Sequence, residues 1–499
     1  MTNGMTRTCR FALLAALFAT PAPGQQPPPG SDGAALSRAL DSVRADRIVA
    51  DVFFVACDDM GGRDTPSTGQ RLAARFVKNR LQRLGWKPGA RDGWLQTYPL
   101  AYKRVKEPDT RAAIQRGDGT GERIELEFGR DYYFSVRDLE TFDGNAGVVF
   151  CGAGTQEELA AAAPALKGRF ALCLDGGDDG RAVEEALRAA GAIGALFMEP
   201  PRSSGRSYVQ DFGPRLGFLR TGRAAWPAEP DPRQAPFFPR AYLPNETVAR
   251  MMALVGTAPL AAGQELPIRF IDTRRVVGDG KVYCENVCGW WPGSDPALGK
   301  QVILVSAHYD HVGTAADGTV YNGADDNGSG TCGLLALAEA LVFEGPLRRS
   351  VMLIWVSGEE KGLYGSKAWT SAPWLPDDAR PVADINIDMI GRNAPHQILV
   401  TPSHDHASYN GLTKMVERLA PEEGFTTIGS ADAYYTRSDQ VNFARLGIPV
   451  TFLFSDVHAD YHKPSDDPEK IDGDKIRRVV RLVLRMLNEM QGDSLDLGK

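Results

Sequence analysis

The seven histidines of this 499-residue sequence all fall between His308 and His462, in a stretch also rich in Asp and Glu. Four blocks concentrate these side chains: SAHYDHVG (306–313), GADDNGSG (323–330), SGEEKG (357–362) with NIDMIG (386–391), and DYHKPSDDPEKID (460–472). Imidazole and carboxylate donors gathered in one water-accessible place suit zinc. Magnesium prefers all-oxygen surroundings, and copper or iron–sulfur centres would recruit thiolates. The donors are numerous enough to grip a pair of divalent ions, whose common use is to activate water for hydrolysis.

Such residues need a scaffold that brings them together. Four short apolar runs rich in β-branched residues, 301–306 (QVILVS), 351–357 (VMLIWVS), 382–388 (VADINID) and 448–454 (IPVTFLF), read as strands buried on both faces. Each leads within a few residues into the polar blocks: His308 after the first, Glu359 and Glu360 after the second, Asp388 ending the third, His462 in the loop after the fourth. Open α/β sheets gather ligands just beyond the carboxyl ends of their strands, so the four placements agree. Between the first two runs, 329–343 (SGTCGLLALAEALVF) has helical apolar spacing, with Asn327 and Ser329 marking its start.

Each residue also has a plain alternative. A strand-end Asp such as Asp388 is more often a turn or cap residue, and adjacent glutamates are usually solvated. Glu359 and Glu360, however, directly follow an apolar run, and burying like charges without a counter-charge costs several kcal/mol. His404 and His406 follow no strand and read as loop histidines. His458, one helical turn before His462, is the second choice for the late ligand.

On these motifs, residues 40–105 and 276–490 resemble the co-catalytic di-zinc exopeptidases, the family of bacterial leucyl-type aminopeptidases and glutamate carboxypeptidases. Its pattern is a His with an Asp two residues on, a bridging Asp before a helix start, a Glu-Glu pair after a strand, a strand-end Asp and a late His. The resemblance implies an α/β fold with a mixed, mostly parallel central sheet flanked by helices. It implies one zinc on His308, Asp326 and Asp388, and another on Asp326, Glu360 and His462, with a cis peptide at Asp326-Asn327. Glu359 would carry the proton from the attacking water to the leaving amine. Asp310 would accept the second ring proton of His308, and Tyr461 would donate to the oxyanion. Arg437, in YYTRSD, would face the cleft and bind substrate. Gln440 departs from the pattern, since several members have His after the Ser-Asp pair.

An aminopeptidase acting on peptides follows most directly, because acids outnumber cations near the ligand blocks and suit a free ammonium. A carboxypeptidase or dipeptidase of the family is the alternative. A single-zinc cyclase would not need the complete bridging set, and a non-catalytic receptor-like protein would not need to keep every ligand together with Glu359.

The opening residues place the chemistry outside the cell. Arg7 and Arg10 precede a nine-residue apolar run (11–19) and small residues around Gly24, the form of a signal peptide at 1–24 that directs secretion or periplasmic export. No stretch reaches the ~20 apolar residues of a membrane span. A net charge of −7 gives no support for nucleic-acid binding. Single cores rarely exceed ~250 to 300 residues, so two units are expected. The peptidase domain would comprise 25–105 and 275–499, and 106–274 would be an insert resembling the protease-associated domain, with a strand, helix, strand pattern over 166–200. Cys151 and Cys173 are its candidate disulfide, whereas Cys284 and Cys288 would sit in a strand at the edge of the peptidase domain.

Overall fold

The computed structural model describes residues 32–498, apart from 118–120, 135–138, 175–179, 199–218, 220–221, 228–236, 257–258, 316 and 377; the expected signal segment, 1–24, lies outside the described residues. All four apolar runs are strands: Gln301–His308, Ser350–Val356, Arg380–Ile387 and Val450–Phe454. They lie parallel, with Gln301–His308 between Ser350–Val356 and Arg380–Ile387, and Val450–Phe454 on the far side of the latter.

Side chains alternate across a strand. Ile303, Val305, Ala307, Leu353 and Trp355 therefore enter one apolar cluster, and Val302, Leu304, Met352 and Ile354 enter another on the opposite face. Helices Gly330–Glu344 and Gly473–Glu489 cover the first face through residues such as Leu334, Leu341, Val480 and Leu484. Tyr364–Ser371 and Gln440–Ala444 cover the second, where Trp369 packs on Phe443 at 5.5 Å between ring centroids.

The complete sheet has ten strands and is mixed, as expected. Its main order is Thr427–Ser430, Gln397–Thr401, Val450–Phe454, Arg380–Ile387, Gln301–His308, Ser350–Val356, Val276–Trp291, Leu95–Val105, Arg223–Ala225. The last three pair antiparallel. Cys284 and Cys288 lie in Val276–Trp291, which is an interior strand because Leu95–Val105 covers its outer side; the edge position expected for them is wrong. The opening segment forms the helices Asp32–Ser42, Ala45–Val55 and Thr68–Arg83.

A second sheet of seven strands lies between Arg111 and Arg274 and encloses its own apolar cluster, including Phe134, Phe170 and Phe270. Its strand Phe170–Cys173, helix Gly180–Ala189 and strand Gly194–Met198 reproduce the strand, helix, strand reading. Cys151 and Cys173 are both buried free thiols, so the disulfide expected between them is not formed, and the Cys151 thiol donates to the Val149 carbonyl instead. One stretch crosses the expected boundary: Arg223–Ala225 adds to the edge of the ten-stranded sheet by pairing with 101–103. Among the described residues, no helix is long and apolar enough to cross a membrane.

Candidate metal centre

Strand ends deliver the polar groups to one place. His308 is the last residue of its strand and Asp388 directly follows Arg380–Ile387, and both are buried. Glu359 and Glu360 sit in the turn after Ser350–Val356. Asp326 lies in the distorted turn Ala324–Ser329 just before helix Gly330–Glu344, with φ −101° and ψ 97°, and its peptide to Asn327 is cis as anticipated. The Asn327 side chain ties this turn to its neighbours, donating to the Ile387 carbonyl and accepting from the backbone N–H of Gly330 and Met389.

The two carboxylate oxygens of Asp326 face two different groups. His308 Nε2 is 3.3 Å from Asp326 Oδ1 and 3.1 Å from Asp388 Oδ1. His462 Nε2 is 3.1 Å from both Asp326 Oδ2 and Glu360 Oε2. Within each set the donor atoms fall within 4.8 Å of one another, a spread that single divalent ions can span. The second set holds a residue that the sequence reading passed over. His311 Nδ1 is 2.9 Å from Glu360 Oε1 and 3.7 Å from Asp326 Oδ2. Its sequence signal was a second His three residues after His308 in the same post-strand loop.

Two buried residues fix the loops that carry these donors. The Arg63 guanidinium donates to the carbonyls of Val55, Tyr309, Asn322 and Gly323 at 2.6–2.9 Å, tying the opening segment to the flanks of His308 and Asp326. Asp466 accepts from the backbone N–H of Asp325 and Asp326. Asp325 is turned away from the donor sets: its carboxylate accepts from Gly391 N–H and meets His458 Nε2 at 3.3 Å. His458 thus approaches Asp325, and His462 approaches the donor sets. His404 and His406 lie in a loop, as read.

Asp310 departs from expectation. His308 Nδ1 is 3.2 Å from the Asp310 backbone oxygen and 3.7 Å from its carboxylate, which accepts from the Glu359 N–H instead. The tight turn after the strand brings the carbonyl nearer to the ring than the side chain. Asp310 therefore links the His308 loop to the turn bearing Glu359.

Glu359, Tyr461 and Arg437 line one pocket together with Asp326, Asp388 and Ser438. Its apolar wall is Met389, Phe452, Phe454 and Val457. Tyr461 stacks on His462 at 3.9 Å, and Arg437 lies over the Tyr434 ring and forms no ion pair among the described residues. Gln440 is buried away from the pocket, accepting from Asn386 and donating to the Tyr435 carbonyl.

The electrostatics fit a bound cation. Burial, reinforced by Glu360, Asp439 and Asp388 and opposed by His308, raises Glu359 well above the usual carboxylate range. Burial alone would raise Glu360 too, yet the hydrogen bond from His311 and the close approach of His462 bring it down to about 2. Burial would lower His462, but Asp326 and Glu360 raise it to about 10. Crowded carboxylates thus draw positive charge from whatever lies nearby. The Nε2 atoms of His311 and His462 are buried without an aligned hydrogen-bond partner, although His462 is at contact distance from two carboxylates. A shared cation matches that geometry better than direct hydrogen bonds do.

Residues 286–487 match the model of Peptidase family M28. The chain is 29% identical over 206 residues to a probable leucine aminopeptidase of Arthroderma otae, covering 39% of this chain and 56% of that protein. It spans little more than half the length of the first curated relatives it matches. Among solved structures, the aminopeptidase from Aneurinibacillus sp. strain AM-1 has the same fold, with a TM-score of 0.60 at 19% identity over 93% of this chain and 97% of that one. A zinc aminopeptidase from Bacillus subtilis gives 0.57 at 18% identity, covering 90% and 96%.

Proposed function

On the premise that residues 286–487 make this chain a member of Peptidase family M28, we propose that it is an exported zinc exopeptidase that removes N-terminal residues from peptides. The observation that carries this reading is the sharing of Asp326 between two donor sets, each of which has its own histidine and its own second acid. One zinc would be held by His308, Asp326 and Asp388, the other by Asp326, Glu360 and His462. A zinc pair supplies an acidified water and polarises the scissile carbonyl.

The protein's own groups do the rest. Glu359 stands in the pocket outside both donor sets, with an affinity for protons raised by its burial, and is placed to accept the water's proton and pass it to the leaving amine. Tyr461 offers a phenol held neutral by burial for the developing oxyanion. Met389, Phe452, Phe454 and Val457 offer an apolar wall to the substrate side chain, while the acids offer charge to its ammonium. Arg437 would hold the far end of a short peptide or the product carboxylate. Residues 106–274 would be an insert with its own sheet and core that also lends Arg223–Ala225 to the edge of the ten-stranded sheet, and the segment 1–24 would direct export. Names borne by relatives, a leucine aminopeptidase and a zinc aminopeptidase, support the same direction of attack.

His311 sharpens the reading of the second site. Its ring donates to Glu360 Oε1 and leaves Oε2 toward His462, so His311→Ala is expected to weaken binding of one of the two zincs by about 10- to 100-fold. Competition with a zinc chelator measures this, and unchanged affinity at both sites would remove His311 from the centre. The direction of attack is tested with amino-acid amides and their N-acetylated counterparts. Free amides are expected to be cleaved and acetylated ones left intact. Release of the C-terminal residue from N-acetylated peptides would instead mean a carboxypeptidase working at the same centre.

A further inference from the structure

The turn that carries Glu359 and Glu360 is packed between two tyrosines. Tyr98, buried, places its hydroxyl 2.8 Å from both the carbonyl and the Oγ of Ser357. At Gly358, φ is +72°, and a Cβ there would come within 3.2 Å of both the Tyr98 hydroxyl and the Tyr364 Cβ. The Tyr364 N–H donates to the Gly358 carbonyl, and the N–H groups of Gly362 and Leu363 both donate to the carbonyl of Glu359, each at 2.9 Å. With Thr65 accepting from the Gly358 N–H and Asp310 from the Glu359 N–H on the inner side, the Tyr98 hydroxyl and the Tyr364 backbone and ring edge hold the outer side of the turn.

The outer side of both rings is closed by a residue from the other part of the chain. Trp226 stacks on Tyr98 with centroids 6.3 Å apart and lies 6.1 Å from Tyr364, and the Lys367 ammonium sits 4.6 Å from its ring centroid. Trp226 directly follows Arg223–Ala225, the short strand that leaves the region of the seven-stranded sheet and pairs with 101–103 at the edge of the ten-stranded one. That pairing brings Ala224 into the apolar cluster of Tyr98 and Leu100.

We propose that Trp226 is a positioning residue, through which the inserted segment 106–274 holds the Glu359 turn in its working geometry by bracing Tyr98 and Tyr364. The proposal rests on the reading of Glu359 as the proton carrier. It gives the insert a part in turnover that does not require it to touch the substrate. A glutamate displaced by a fraction of an ångström transfers protons poorly, while His308, Asp326, Asp388 and His462 belong to other elements and Glu360, on the same turn, has its own tether in the His311 ring 2.9 Å from Oε1.

The test compares Trp226→Ala and Trp226→Phe in the full chain. Trp226→Ala is expected to lower kcat by about 10-fold or more with KM and zinc content near wild type. Backbone amides of Gly362 and Leu363 should exchange faster with deuterium, and Trp226→Phe should restore both readouts substantially. An unchanged kcat overturns the proposal, whatever the exchange shows. So does a rise in KM alone, which would make Trp226 a substrate contact, and so does a Phe variant as impaired as the Ala variant. If Trp226→Ala does not fold, the Phe variant and a Tyr364→Leu chain carry the same comparison. Glu359→Gln run alongside separates the two readings: full turnover in that variant removes Glu359 as proton carrier, whereas the exchange of Gly362 and Leu363 still decides whether Trp226 braces the turn.

Discussion

Asp326→Ala is expected to release both zinc ions and reduce peptidase activity to background. The two oxygens of this side chain face separate histidines, so neither donor set is complete without it. Losing one carboxylate shared by two cations also leaves Asp388 and Glu360 without the arrangement that keeps their charges apart, and a buried uncompensated charge costs several kcal/mol. Metal analysis after dialysis, with a melting curve to show that the chain is folded, measures the effect. Two zincs retained per folded chain would rule out the bridging role.

Glu359→Gln should separate binding from turnover. The amide keeps the shape of the side chain but cannot accept a proton, and Glu359 belongs to neither donor set. Zinc content should stay near that of the unaltered protein while kcat falls by about 10²- to 10⁴-fold, the usual contribution of a positioned general base. Loss of zinc would move Glu359 among the ligands, and retention of kcat would pass the proton to another group.

Much of this centre could be read from the sequence because it depends on local pattern. Apolar runs of strand length ended in polar residues four times over, and parallel strands buried on both faces show that pattern plainly. What escaped was set by distant partners. Arg63 looks like any surface arginine after two glycines, and only the fold reveals that four carbonyls from three segments converge on its guanidinium. The choice of Asp310 between its carbonyl and carboxylate for His308 depends on the angle of a turn, which residue types do not encode. The strand of Cys284 and Cys288 is interior because Leu95–Val105 returns from far earlier in the chain to cover it, which no local pattern shows. The three-residue strand before Trp226 is too short for any periodicity to announce.

The strands Leu95–Val105 and Val276–Trp291 lie antiparallel, with Val105 opposite Val276 and the Lys106 N–H donating to the Arg275 carbonyl. In polymer terms, everything between those two valines is a single loop whose mouth is already closed by a ladder of the core. The entropy of closing such a loop grows only with the logarithm of its length, about 0.6 kcal/mol for each doubling. The core is therefore nearly indifferent to how much chain is spliced in at this point, and modules of very different size could occupy it without disturbing the strands that present the metal ligands. The reach of Trp226 back to Tyr98 is what such an exchange would forfeit, so the splice point tolerates a change of length more readily than a change of content.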